Sequence, residues 1–390
     1  MADLKIFTNN IEHAASEIID SIAKHPYFKN QKIRIMPDVH AGKGIVVGFT
    51  CPMGEYVNPE HIGADIGCGV EIELFDQLLP EEAFPLFEQR IRNAIPMGKN
   101  LNKNREFDLK DFCKFVRKEL SRAAQSSGGL VNEIPFSKES DITLWCKGLN
   151  IDEKTFYKSI GTLGGGNHFI ELDCDDAQTM IGVTVHTGSR NLGQKVCRKW
   201  AKKAIATGGY LSGALLCEYL TDMVICQAYA QYNRKIILEK IADIYKKMCK
   251  GKVVDRVSSV HNYVDFEDMI IRKGAIRAYK GERMVIPFNM ADGVAIYEGL
   301  SNEDWNFSAP HGTGRRMSRK KAREQLSMDQ YHSNMSLVYS TSVCPGTLDE
   351  APAAYKDTEE VMYFMHPTCK MIHYLTPLIN IKDTSDTDRD

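Results

Sequence analysis

Long apolar runs are missing from this 390-residue sequence. A membrane-spanning helix needs roughly 18 consecutive apolar residues, and the longest apolar stretches, such as residues 181–185, are far shorter. The first residues, MADLKI, also lack the charged and then apolar pattern of a secretory signal peptide. These two absences predict a protein without membrane association and with a cytoplasmic location.

Paired cysteines and a strong net charge are missing as well. None of the eleven cysteines belongs to a C-x-x-C pair, so neither a disulfide framework nor a zinc ribbon is expected. The 49 basic and 51 acidic residues leave a net charge of −2, so a polyanion must be held by a local basic patch. With 43% hydrophobic and 26% charged residues, the composition excludes a disordered, collagen-like or coiled-coil chain.

Hydrophobic periodicity indicates helices and strands that do not alternate regularly. Helices are predicted at residues 11–23, within 80–124, and over 193–250 with a break near Gly208 and Gly209. Strands are predicted at residues 32–36, 44–50, 70–75, 169–172, 181–186, 284–288 and 293–297, of which 70–75 alternates like a half-exposed strand. We therefore expect an α+β (mixed α/β) fold, with one domain over residues 1–382 and an acidic, disordered tail at 383–390.

Four of the eleven histidines lie in loops rich in glycine, asparagine or serine. They are His168, His186, His261 and His311. One such histidine is usually an ordinary hydrogen-bonded loop residue, but four in one chain make that interpretation much weaker. We therefore expect several of them to meet in a cleft.

The segment 65–69 (DIGCG) adds a carboxylate and a thiol to these imidazoles. Asp65 and Cys68 are three residues apart and are flanked by glycines. Taken alone, Cys68 would most often be a small buried core residue. Together with the loop histidines, however, this set of ligands suits a borderline metal such as Mn²⁺, Zn²⁺, Fe²⁺ or Co²⁺.

A basic segment follows His311. If it is helical, Arg316, Arg319, Lys320 and Arg323 share one face. The simplest interpretation is a solvated helix surface. Beside a metal cleft, an arginine-rich face also has the chemistry that binds phosphate groups.

Eight glycine- and histidine-containing motifs follow one another along this chain. Two of them are MPDVHAGKG at residues 36–44 and DIGCG at residues 65–69. Six more follow: GTLGGGNHFIEL (161–172), HTGSR (186–190), HNYV (261–264), RKGA (272–275), HGTGRRMSR (311–319) and AYKD (354–357). In sequence and in order these motifs strongly resemble those of the RtcB family of GTP-dependent RNA ligases. The resemblance covers almost the whole chain, from about residue 33 to Lys382.

The resemblance implies one compact α/β fold around a two-metal, usually manganese, centre. Its metal ligands correspond to Asp65, Cys68, His168, His186 and His261, with Cys68 bridging both ions, and its guanylylated histidine corresponds to His311. Nucleotide contacts are implied for Asn167, His168, Phe169, Ile170, Glu171, His261, Asn262, Pro287, Phe288, Asn289, Met290, Val294, His311, Gly312, Thr313, Gly314 and Lys382. Of these, Glu171 would accept the guanine N–H edge. The basic residues expected to contact RNA are Arg190, Arg315, Arg316, Arg319 and Arg323.

The implied activity is that of a 3′-phosphate/5′-hydroxy nucleic acid ligase (EC 6.5.1.8 type). Such an enzyme joins RNA 2′,3′-cyclic phosphate or 3′-phosphate ends to 5′-hydroxyl ends, in RNA repair or splicing. It proceeds through a GMP-histidine intermediate and an activated RNA-ppG end. The expected cofactors are two Mn²⁺ ions, with GTP as co-substrate. The expected partners are RNAs with broken ends, such as tRNA or rRNA fragments, while the sequence identifies no accessory protein.

Several positions depart from the family pattern and indicate a shorter, divergent bacterial-type paralogue. Pro287-Phe288-Asn289-Met290 replaces the usual Pro-Gly-Ser-Met, and a serine that relatives use for the nucleotide is replaced near Val294. Two alternatives to the ligase remain open. One is a metal-dependent cyclic phosphodiesterase or nuclease that has lost guanylylation, which the retained His311 disfavours. The other is a non-catalytic RNA-end binder, which the intact set of five ligands disfavours.

Overall fold

Strands form the centre of the molecule in the computed structural model, which describes residues 2–385. The strands are β1 (Asp3–Ile6), β2 (Lys32–His40), β3 (Val47–Pro52), β4 (Gly69–Phe75), β5 (Phe169–Cys174), β6 (Ile181–Thr187), β7 (Val253–Val260), β8 (Asn262–Asp265), β9 (Ile270–Lys273), β10 (Ala275–Arg277), β11 (Arg283–Pro287), β12 (Val294–Gly299), β13 (Ser308–Pro310) and β14 (Cys369–Ile381).

Helices surround these strands. They are α1 (His13–Lys24), α2 (Phe84–Ala94), α3 (Leu109–Ser126), α4 (Glu139–Gly148), α5 (Glu153–Ser159), α6 (Asn191–Ala206), α7 (Gly213–Cys249), α8 (Arg319–Gln325), α9 (Met328–Asn334) and α10 (Thr358–Met365). The α+β fold class expected from the sequence is confirmed.

Two large sheets carry most of the candidate site residues, while His311 follows β13, which pairs with β10 in a separate two-stranded sheet. One has the strand order β1-β2-β3-β9-β8, and the other has the order β11-β12-β14-β5-β6-β4-β7. The larger sheet is antiparallel throughout, and its two edge strands approach each other. The Val285 amide on β11 donates to Ser259 Oγ on β7 at 2.9 Å, and Arg283 pairs with Asp255. The sheet therefore curls around an interior that its own side chains fill.

The long helix α7 connects the loops at the end of this sheet. Its buried Arg234 donates to the carbonyl oxygens of Gly67 (3.0 Å) and Thr187 (2.8 Å). The neighbouring Asn233 accepts from the amide of Gly161 at 2.7 Å. Since buried backbone groups need partners, these two side chains fix the loops that lead into β4 and β5 and the end of β6.

Strand β4 is more buried than its sequence pattern predicts. All seven residues of β4 are buried, whereas the alternation of apolar and acidic residues predicted a half-exposed strand. That prediction is wrong because β4 lies between β6 and β7, and because its acidic side chains have cationic partners. Glu71 lies near Arg234, and Glu73 forms an ion pair with Arg256.

Most other predicted elements are present, with shifted ends. The predicted helical stretch 193–250 is broken as expected, because α6 ends at Ala206 and α7 begins at Gly213. Strands β7, β8 and β9 were not predicted from the sequence. Asp383, at the start of the predicted tail, is buried, and residues 386–390 lie outside the described part of the chain. No helix in residues 2–385 combines the length and apolar character needed to cross a membrane.

Candidate functional site

The five predicted metal ligands meet at one end of the larger sheet. Asp65 and Cys68 lie in the loop that enters β4, and His168 immediately precedes β5. His186 is near the end of β6, and His261 joins β7 to β8. Because β4 pairs with both β6 and β7, and β6 pairs with β5, the strand order itself brings these distant segments together.

The ligand atoms form two groups of three that share one sulfur. Asp65, Cys68 and His168 offer atoms that all lie within 4.8 Å of one another, and so do Cys68, His186 and His261. The Cys68 Sγ lies 3.6 Å from His168 Nε2 and 3.3 Å from His186 Nε2. A sulfur common to two groups is the arrangement expected of a bridging thiolate.

The imidazoles of this cluster are buried and face the cluster. The His186 Nδ1 lies 3.1 Å from the carbonyl oxygen of Asn167, so its Nε2 is directed at Cys68. Burial and neighbouring imidazoles hold the pKa values of His186 and His261 well below the usual range, which keeps both rings neutral. Neutral imidazole is the form that binds a metal ion.

The two acidic groups of the cluster differ in their protonation. Burial opposes ionisation of Asp65, but the hydrogen bond from His168 lowers the pKa of this carboxyl to about 2. Burial and the adjacent Asp65 raise the pKa of the Cys68 thiol well above its usual value. One sulfur, three imidazoles and one carboxylate nevertheless suit a pair of borderline divalent cations, whose charge a thiolate and a carboxylate would partly offset.

His311 lies directly beside this cluster and has a carboxylate partner. Its ring centroid is 4.7 Å from that of His261, and its Nδ1 lies 2.6 Å from Asp38 Oδ2. Asp38 is fully buried on β2 and also accepts from the His311 amide at 3.1 Å. Gly314 allows this close approach, because a Cβ there would clash with the Asp38 carbonyl oxygen. Asp38 therefore fixes the orientation of the His311 ring through Nδ1.

Sequence reasoning did not identify Asp38 as a site residue. It lies in the MPDVHAGKG motif, but 273 residues separate it from His311, and β2 belongs to the smaller sheet. The usable signal was a single acidic residue in a strand whose other members are apolar or basic.

A cleft of about 660 Å³ opens from His311. Its walls include many of the residues that the sequence assigned to the nucleotide: Asn167, Phe169, Glu171, Pro287, Phe288, Asn289, Met290, His311, Gly312, Thr313, Gly314 and Lys382. Of the predicted metal ligands, His186 also lines it. The volume is that of a typical small-molecule site.

Five residues assigned to the nucleotide from the sequence do not line the cleft, and two of them, His168 and His261, belong to the ligand groups. Ile170 and Val294 are fully buried in two different apolar clusters and do not line the cleft. Asn262 lies at the metal cluster, where it donates to the Asp65 carbonyl oxygen (3.1 Å) and accepts from the Gly274 amide (3.0 Å). Its side chain thus helps to hold the ligand loop.

The loop at residues 287–294, whose sequence differs from the family pattern, is held by several internal contacts. The Phe288 ring stacks on Tyr374 with centroids 5.7 Å apart. Asn289 Nδ2 donates to Asp292 Oδ2 at 2.7 Å, and the Asn289 carbonyl accepts from the Gly293 amide at 3.1 Å. The loop thus presents an aromatic side chain and an amide to the cleft.

Several predicted RNA-contact arginines are bound within the protein. Arg319 pairs with both Asp349 and Glu350, while Arg315 donates to the Asp349 carbonyl at 2.6 Å. Lys382 Nζ lies 3.2 Å from Glu350. Although burial opposes its ionisation, Arg319 and Lys382 hold the pKa of Glu350 well below its usual range.

The remaining three predicted arginines differ in exposure. Arg190 donates to Thr162 Oγ1 (3.0 Å) and to the Gly98 carbonyl (2.7 Å), so its head group is occupied within the protein. Arg316 and Arg323 are exposed. The predicted common helix face is wrong for Arg316, because α8 begins only at Arg319.

The fold and the site define a class of protein with a candidate metal centre whose two ligand groups share a thiol. This centre borders a cleft of nucleotide size, and the cleft contains a histidine paired with a carboxylate. The chain belongs to the RtcB family, since the family model described as tRNA-splicing ligase RtcB matches residues 19–383.

Relatives of similar length come from bacteria and archaea. The chain is 28% identical over 415 residues to the RNA-splicing ligase RtcB of Escherichia coli strain K12, covering 98% of this chain and 97% of that protein. It is 26% identical to the RNA-splicing ligase RtcB of Mycobacterium tuberculosis, over 89% of this chain and 96% of the relative. It is also 26% identical to the tRNA-splicing ligase RtcB of Archaeoglobus fulgidus, over 94% of this chain and 91% of that protein.

Proposed function

We propose that this protein is an RNA ligase that uses GTP and two divalent cations, with Mn²⁺ as the expected metal. It would join an RNA 2′,3′-cyclic phosphate or 3′-phosphate end to a 5′-hydroxyl end. Membership of the RtcB family supports the ligase class. The observation that carries the mechanism is the 2.6 Å contact between His311 and Asp38 beside two ligand groups that share Cys68.

His311 is the proposed nucleophile. With its Nδ1 proton held by Asp38, the ring presents the Nε2 lone pair to the α-phosphorus of GTP. An N–P bond forms, the bond to the β-phosphate oxygen breaks, and pyrophosphate leaves. Asp38 then faces a cationic imidazolium, whose charge its carboxylate offsets.

The guanylyl group next passes to the RNA. A cyclic phosphate end is first hydrolysed to a 3′-phosphate, whose oxygen attacks the phosphorus on His311 and restores the free imidazole. The incoming 5′-hydroxyl then attacks the RNA 3′-phosphorus and GMP leaves. Divalent cations at this centre would align attacking and leaving oxygens and offset phosphate charge.

Glu171 is the proposed reader of the base. It is buried on β5, lines the cleft, and accepts a hydrogen bond from Asn380. An ionised carboxylate accepts from the two N–H groups on the Watson–Crick edge of guanine, whereas adenine offers an acceptor at N1. This side chain therefore favours GTP over ATP.

The decisive experiment incubates the purified protein with GTP labelled at the α-phosphate and with Mn²⁺, and then measures covalent label on the denatured protein. The proposal expects label that a 3′-phosphate RNA removes. A protein that cleaves cyclic phosphate ends but never takes up label would instead be the phosphodiesterase. The retained His311 argues against that alternative, because simple hydrolysis needs no such nucleophile.

A further inference from the structure

A second buried carboxyl group lies directly behind Glu171 and has no role in the function proposed above. Asp173 is two residues along β5, so its side chain is on the same face of the strand as Glu171. It is fully buried, and it and Glu171 are in side-chain hydrogen-bond contact. The intervening Leu172 packs on the opposite face, in the apolar cluster with α2 and α7.

The two oxygens of Asp173 have different surroundings. Oδ2 accepts from Thr184 Oγ1 at 2.6 Å, whereas Oδ1 is buried and has no donor. Two touching carboxylates cannot both stay ionised away from water, so the pair holds a proton between them. A proton on Asp173 would make the orphaned oxygen a donor to Glu171 and satisfy both groups.

We propose that Asp173 is a positioning residue that holds this proton and thereby keeps Glu171 an ionised acceptor for guanine. This inference rests on the proposed base-reading role of Glu171. The partners of Glu171 agree with it, since Asn380 donates to the carboxylate and Lys382 is a nearby cation. Burial raises the pKa of Asp173 well above its usual value and that of Glu171 to about 7, which is consistent with one shared proton.

The location of this proton decides the base preference. An ionised Glu171 only accepts hydrogen bonds, which matches the N1–H and amino group of guanine. A protonated Glu171 would donate to N1 of adenine and accept from its amino group, so the preference would move towards ATP. Asp173 thus controls specificity without touching the nucleotide.

The test uses calorimetry to measure equilibrium binding of GTP and of ATP to the full-length wild-type protein and to three variants. Asp173→Asn keeps an N–H donor towards Glu171 and should retain the wild-type ratio of GTP to ATP affinity. Asp173→Leu removes the donor and should reduce this ratio about tenfold or more, which corresponds to one hydrogen bond to a charged group. Thr184→Val is the matched control, because it removes only the bond to the far oxygen and should leave the ratio unchanged.

The outcomes separate this inference from the proposed function. No GTP binding by the wild-type protein contradicts the proposed function itself. Normal GTP preference in wild type and in folded Asp173→Leu overturns only the role of Asp173, as does loss of preference in Asp173→Asn. Infrared spectroscopy of protein carrying ¹³C-labelled aspartate tests the proton even if Asp173→Leu does not fold. A protonated carboxyl band should be present in wild type at neutral pH and absent in Asp173→Asn, and its absence from wild type also overturns the proposal.

Discussion

At the scale of single residues, the most direct prediction concerns His311. His311→Ala should abolish covalent labelling by GTP, because it removes the imidazole whose Nδ1 is held by the Asp38 carboxylate. Metal content and fold should stay near wild type, since His311 belongs to neither ligand group. The measurement is radiolabel on denatured protein, with His332→Ala, an exposed histidine on α9, as control. Label persisting on His311→Ala would falsify the assignment of the nucleophile.

Asp38 gives a graded version of the same test. Asp38→Asn keeps the shape of the side chain but cannot offset the imidazolium charge, so labelling should slow while GTP binding is retained. Because hydrogen bonds to charged groups contribute about 1.5–3 kcal/mol, the rate should fall roughly 10- to 100-fold. Single-turnover labelling at saturating GTP measures this, and an unchanged rate would reduce Asp38 to a packing role.

Glu171 makes a prediction about the choice of nucleotide. Glu171→Gln places an amide N–H where an acceptor is needed, so the preference for GTP over ATP should shrink by about 1–3 kcal/mol. Competition binding with the two nucleotides measures the change. Equal binding of GTP and ATP by the wild-type protein would contradict the role of Glu171. It would instead implicate the loop at residues 287–294, whose sequence differs from the family pattern.

The residue scale also shows what the sequence could predict. The five candidate ligands were found from motifs, and the structure brings all five together. Asp38 was missed because its partner lies 273 residues away, and nothing in the local sequence records that pairing. Similarly, Asp173 draws its significance from burial beside Glu171, which composition does not reveal.

At the scale of structural elements, the basic residues in and before α8 are of two kinds: one that is paired with buried carboxylates and three that are exposed. Arg319 neutralises the buried Asp349 and Glu350. Arg316, Lys320 and Arg323 are exposed, and of these Arg323 also lies 3.5 Å from Asp349. We expect the exposed three to hold RNA backbone phosphates. Their joint replacement by alanine should weaken binding to all RNA sequences alike. The slope of log K against log salt should fall by about 0.7 for each phosphate that is no longer neutralised.

Two matched variants test this division. Arg319→Ala should lower the free energy of unfolding by about 1.5–3 kcal/mol, because it removes hydrogen bonds to buried carboxylates. Lys114→Ala combined with Lys118→Ala, on the exposed face of α3, removes surface charge elsewhere and should leave the salt slope unchanged. If the triple alanine variant also keeps the wild-type slope, the exposed face of this segment is merely solvated.

Comparison of the predicted and observed elements shows where the local sequence pattern is not sufficient to predict the structure. The break between α6 and α7 was predicted because paired glycines disrupt a helix locally. The burial of β4 was not, because it depends on distant partners such as Arg234, which lies on α7 and pairs with Glu71. Strand β7 was missed since its burial does not alternate regularly, and β8 and β9 were missed since each has only four residues. Long-range pairing thus decided what periodicity could not.

At the scale of the whole molecule, the candidate metal centre should stabilise the fold. Its ligands come from the loop before β4, the start of β5, the end of β6 and the β7–β8 junction, so bound ions would connect segments nearly 200 residues apart. A ligand that binds only the folded state at 100 times its Kd stabilises that state by about 2.7 kcal/mol. Chelation should therefore lower the Tm, and added Mn²⁺ should restore it.

Cys68 connects this stabilisation to the shared-thiol arrangement. In the metal-free protein, burial and Asp65 raise the pKa of the thiol, so the sulfur carries its proton. Metal binding as thiolate must release that proton, and the affinity for Mn²⁺ should consequently rise with pH.

Cys68→Ser supplies a harder donor that resists deprotonation, so bound manganese, the Mn²⁺-dependent rise in Tm and RNA ligation should all decrease together. Cys217→Ala, at a partly exposed position of α7, should retain all three, since Cys217 lies in neither ligand group. Full manganese content and ligation in Cys68→Ser would make Cys68 an ordinary core thiol and leave the two ligand groups without their common atom.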